Sequence, residues 1–131
     1  MPKTCRRQTL WLCLFLFALG YVPLSGLALD ARGEYTILGV GKESCGKFVR
    51  ERQQSIGAYP DHRYLYWVTG SLTAVNAQTP KTNNIAGFTD IYGVLTWLEH
   101  YCTKTPLTPF AEAVRALVTA LYPERTTQAL E

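Results

Sequence analysis

Long apolar runs are scarce in this 131-residue chain. The longest, residues 10 to 22, covers about 13 positions, where a membrane-spanning helix needs roughly 20, so a stable membrane span is not expected. Histidine is scarcer still, with two residues, and cysteine numbers four with no Cys-x-x-Cys spacing. Too few sulfur and imidazole groups cluster for a zinc site, and no metal or other cofactor is expected. A serine nucleophile on a strand-turn-helix elbow is missing as well, and Gly39-Val40-Gly41 lacks the Gly-Lys-Ser/Thr ending of a phosphate loop.

What the chain does have begins at its first residues. Lys3, Arg6 and Arg7 precede the apolar run, and Pro23, Ser25 and Gly26 break it before the small-residue sequence Gly26-Leu27-Ala28. This is the pattern of a secretory signal peptide cleaved after Ala28. Cys13 follows Leu-Trp-Leu rather than the small residue that usually precedes a lipidated cysteine. Three of the 13 Lys and Arg, and none of the 10 Asp and Glu, lie before residue 29, which leaves ten of each sign. The formal net charge of +3 therefore belongs to the export signal, and no nucleic acid or acidic lipid partner is expected.

Cys45 and Cys102 are the cysteines that remain after cleavage. In an exported domain of about 103 residues, a single pair is expected to form a disulfide. In the chain-entropy model such a bridge stabilises the fold by roughly 4 kcal/mol.

Hydrophobic spacing predicts four helices. Residues 29–43, with glycines at 33, 39 and 41, read as an extended, loosely held leader, with a short strand or turn near 35–38. Ser44 is a suitable N-cap for a first helix to about Gln54. That helix places Cys45, Phe48, Val49 and Ile56 on one face, with Lys47, Arg50, Glu51 and Gln54 opposite. After a loop at 57–60, Asp61 caps a second helix over His62 to Gln78. Tyr64, Leu65, Val68, Leu72 and Val75 make its main stripe, and Trp67, Gly70, Ala74 and Ala77 make a second face. Thr69, Thr73 and Asn76 mark a narrow polar arc between these faces. A helix apolar over most of its circumference is expected at the centre of the domain, with Gly70 and Ala74 admitting a neighbouring backbone. Residues 78–89 read as an exposed, mobile polar loop.

Thr89 or Asp90 starts a third helix in which Ile91, Leu95, Leu98 and Cys102 recur at helical spacing, ending near Lys104 before Pro106. Thr108 is expected to cap a fourth helix with Pro109 at its first position, carrying Phe110, Val114, Leu117 and Leu121 inward until Pro123. The expected organisation is thus a signal peptide at 1–28, an extended leader at 29–43, a single small all-α four-helix domain at 44–123 with one helix-to-helix disulfide, and a flexible tail at 124–131.

Catalytic groupings do not assemble from these elements. His100 and Cys102 stand about 160° apart on an ideal helix, and Glu51, Glu99 and Glu112 fall on predicted solvent faces, so an enzyme is not expected. Tyr64, Tyr66 and Trp67 cannot all share one helix face. Tyr66 or Trp67, with Trp97 and the loop residues Asn83 and Asn84, are the candidate contacts for a protein partner.

Three stretches carry a resemblance. They are Gly41-x-x-Ser44-Cys45-Gly46-Lys47-Phe48; Tyr66-Trp67-Val68-x-Gly70-x-Leu72-x-x-x-Asn76; and Trp97-Leu98-x-x-Tyr101-Cys102-x-x-x-Pro106-Leu107, followed by a helix ending Leu121-Tyr122-Pro123. Over residues 37 to 123 the chain resembles small exported proteobacterial proteins. The two-cysteine helical layout is similar to periplasmic acid-stress chaperones of the HdeA/HdeB kind. The Trp-Val-x-Gly segment and the Tyr-Pro helix end are similar to periplasmic immunity proteins of the Rap/Tai kind, which neutralise type VI secretion effectors. The resemblance implies a non-enzymatic periplasmic protein-binding module of the immunity type, with an acid-activated holdase chaperone as the alternative. The implied partner is an effector or an unfolded client protein.

Overall fold

A computed structural model describes residues 32, 34–54 and 62–128. The stretch 1–28 expected to be a signal peptide, Ile56, the 57–60 loop, Asp61 and the end of the tail lie outside the described residues. From Thr36 onward the chain forms one compact unit. A 3-10 turn at Gly39–Lys42 leads into four helices: α1 (Cys45–Gln54), α2 (His62–Gln78), α3 (Ile91–Lys104) and α4 (Phe110–Leu121). A second 3-10 turn, Tyr122–Glu124, follows. The all-α, four-helix expectation holds, and no named strand occurs among the described residues.

Local chemistry explains where α1 and α3 begin. The Ser44 hydroxyl accepts a hydrogen bond from the Lys47 N–H at 3.3 Å, and the Asp90 carboxylate accepts from the Gly93 N–H at 2.7 Å. Each satisfies an N–H that a first helical turn leaves without an internal partner. The start of α4 differs from expectation. Pro109 occupies its N-cap position with no side-chain cap, and its carbonyl accepts from the Glu112 N–H at 3.0 Å. The Thr108 carbonyl instead accepts from the Cys45 N–H, the Pro106 carbonyl accepts from the Gly46 N–H, and the Phe110 N–H donates to the Glu43 carbonyl, each at 2.8 Å. The N-termini of α1 and α4 are thus sewn together by backbone alone, in a contact between segments over 60 residues apart.

Cys45 and Cys102 form the disulfide, with Cα atoms 4.7 Å apart, and join α1 to α3. Arg52 on α1 and Glu99 on α3 add an ion pair at 2.6 Å. Around this joint Val94, Leu95 and Leu98 of α3 and Phe110, Ala113, Val114 and Leu117 of α4 are buried. Phe48, Tyr64 and Phe110 bring α1, α2 and α4 together as three mutually packed rings, with centroids 4.7–4.9 Å apart.

The position of α2 corrects the expectation of a central helix. Only Tyr64, Val68 and Leu72 of α2 are buried, while Thr69, Gly70, Thr73, Ala74 and Ala77 face solvent. A side chain added at Gly70 would meet nothing within 4 Å, so no backbone approaches there. The centre is instead formed around α3, which packs against the other three helices, together with α4, whose Phe110 reaches α1 and α2. The exposed hydroxyls of α2 fold back on its own carbonyls, Thr69 on Leu65 at 3.0 Å and Thr73 on Thr69 at 2.8 Å. That is how an uncharged outer face satisfies its polar groups.

Two segments expected to be loose are fastened. In the leader, Val40 and Gly41 are buried, and Gly39 takes the left-handed φ of +63°. The Trp67 ring lies over both glycines, and a side chain at Gly41 would overlap it. In the 79–90 loop, the Ile85 side chain is completely buried and its N–H donates to the Asn76 side-chain oxygen at 2.7 Å. The tail reaches back to the same place, where Thr126 pairs with Asn84 as an antiparallel bridge. Gly87, at φ +59°, passes the Glu124 carbonyl so closely that any side chain would collide.

Candidate functional site

The five residues singled out for partner contact occupy separate places and roles. Tyr66 is 67% exposed on the outer face of α2, its ring stacked on His62 at 5.6 Å. Trp67 is half-buried: its indole N–H donates to the Leu38 carbonyl at 2.8 Å, and its ring meets Phe110 at 5.9 Å. It clamps the leader to α2 and α4. Asn83 is exposed, and its backbone N–H donates to Thr126 at 2.8 Å. Asn84 is half-buried and closes the turn from both ends, donating from its side-chain amide to the Gly87 carbonyl at 2.9 Å and accepting from the Ala86 N–H at 3.1 Å. Twelve helical residues separate Tyr66 from Gln78, about 18 Å along the axis. The loop itself folds back to Asn76, ten positions and about 15 Å along the axis from Tyr66.

The fifth residue, Trp97, is half-buried on α3 and stacks on Tyr101 with centroids 5.4 Å apart and planes 12° from parallel. Together with His100 and Lys104 it lines a shallow hollow of about 260 Å³. His100 is exposed while Cys102 is buried in the disulfide, which matches their opposed directions on the helix. Among the described residues, no three His, Cys, Asp or Glu side chains come together as a metal site, and no helix is long and apolar enough to cross a membrane.

Sequence reasoning missed the most exposed aromatic among the described residues. Phe88 is 84% exposed, and Tyr92, one helical turn further on, is 52% exposed. They flank the Asp90 cap at the start of α3. Phe88 belongs to the only apolar stretch of the loop, Ile85-Ala86-Gly87-Phe88. That stretch is a visible signal, but its two large residues go opposite ways: Ile85 into the core and Phe88 into water.

Comparison of the chain with protein-family models, with curated proteins and with solved structures finds no match in any of the three.

Proposed function

We propose that this is a non-enzymatic periplasmic protein-binding module, of the kind the immunity-protein resemblance implies, and that it meets its partner through Phe88 and Tyr92. The observation that carries this reading is a large apolar ring held in water by a fastened loop. Ile85 anchors one side of Phe88 in the core, Asn84 closes the turn, and Asp90 caps α3 on the other side. A loop already fastened needs no ordering when a partner covers the Phe88 ring, so more of the burial free energy appears as affinity. Aromatic residues of this type are frequent anchors in protein interfaces.

The test is a pull-down from periplasm with the exported protein as bait, followed by calorimetry with the partner so identified. Phe88→Ala should weaken that complex at least tenfold while leaving thermal stability within about 0.5 kcal/mol, as for other exposed positions. Tyr66→Ala, on a different face, should leave affinity unchanged. Unaltered binding by Phe88→Ala, or a loss caused by Tyr66→Ala alone, would move the interface to α2 and overturn the assignment.

A further inference from the structure

The hollow on α3 lies away from Phe88, and its chemistry is different. Trp97, His100, Tyr101 and Lys104 follow the spacing i, i+3, i+4 and i+7, which brings four side chains onto one helical face. Trp97 and Tyr101 supply a flat apolar ledge. Lys104 supplies a cation and His100 a ring N–H donor. Lys104 makes no ion pair among the described residues, and the carboxylate nearest in sequence, Glu99, is held by Arg52 at 2.6 Å on another side of the helix.

We propose that this hollow binds an aromatic group bearing a carboxylate, with the ring on the Trp97–Tyr101 ledge and the carboxylate on Lys104 and His100. Charge complementarity selects the anion, because the Lys104 cation beside these aromatic faces is paired with no carboxylate among the described residues. Size selects a small occupant. Drug-sized ligands fill pockets of about 300–1,000 Å³, and a hollow of about 260 Å³ suits one aromatic residue. The same chemistry is offered by a free aromatic acid and by the C-terminal residue of a peptide. Lys104 also lies in the last turn of α3, where a cation offsets the partial negative charge of the helix end; that role alone would require no ligand.

The measurement is the Trp97 indole N–H resonance in ¹⁵N-labelled exported protein, assigned with Trp97→Phe, with the Trp67 indole as an internal reference. N-acetyl-L-phenylalanine should shift Trp97 and leave Trp67 in place, and its uncharged N-methylamide should bind at least tenfold more weakly. Lys104→Gln, a change at an exposed position, should remove that preference while the domain stays folded, with only the small drop in thermal midpoint that losing a cation at the helix end brings. A peptide ending in phenylalanine with a free carboxylate that binds tighter than the single residue would identify a chain terminus as the source; equal affinity would identify a free acid. Equal binding of acid and amide, an acid preference that persists in Lys104→Gln, or no Trp97 shift at millimolar probe would overturn the assignment.

Discussion

Helices α2 and α3 have similar lengths, 17 and 14 residues, and α2 has the wider apolar circumference by sequence. Yet α3 lies at the centre and α2 at the edge. The difference lies in what the apolar positions are. In α3 the inward residues are Val94, Leu95, Leu98 and Cys102, whose burial removes large areas from water. The extra face of α2 is made of Gly70, Ala74 and Ala77, which expose little apolar area in either setting and are tolerated in water. A wide wheel of small residues permits burial without demanding it.

The largest effect should come from the joint at the centre. Cys102→Ser, measured by urea unfolding against the oxidised parent, should destabilise the domain by about 4 kcal/mol, since the bridge closes a loop spanning 57 positions. A loss below 1 kcal/mol would show that α3 is held without the covalent link.

Next is the plug that ties the loop to that centre. Ile85→Ala should lose about 3 kcal/mol, the range for truncating a fully buried aliphatic side chain. If urea titration shows no change, the loop is appended to the core rather than part of it.

Alkaline titration separates the buried stripe of α2 from its exposed face. Burial, and after it the Glu51 carboxylate, raise the Tyr64 pKa well above its ordinary value of 10.0. From pH 10 upward the unfolded chain therefore releases a proton that the folded chain keeps. The stability contributed by Tyr64 is complete below pH 10 and is lost as pH rises toward the folded pKa, by about 1.4 kcal/mol per pH unit. Tyr64→Phe should remove this part of the decline. Parallel alkaline unfolding curves of the parent and Tyr64→Phe measure the difference.

The smallest effect tests the comparison most directly. Gly70→Ala should stabilise the protein by about 0.5–1 kcal/mol, because alanine is the better helix former and meets no neighbour at this position. If thermal unfolding shows destabilisation, a packed surface covers this face of α2.

The sequence by itself determined the features that depend on a few consecutive residues. Apolar spacing placed α2 at His62–Gln78 and α3 at Ile91–Lys104. Ser44 could be read as a cap, and Thr89 or Asp90 as the start of α3, because a cap bonds only three residues ahead, and Cys45 and Cys102 both fall on inward stripes. Tertiary structure alone decided which helix lies in the middle, that Trp67 clamps the leader instead of standing free, and that Ile85 turns inward while Phe88 turns out. It also decided that Thr108 serves α1 through its carbonyl and does not cap α4 through its hydroxyl. The reason is the range of the interaction: periodicity reports how side chains are arranged around one axis, whereas burial depends on which distant segment arrives, and here those partners lie between 9 and more than 60 residues away.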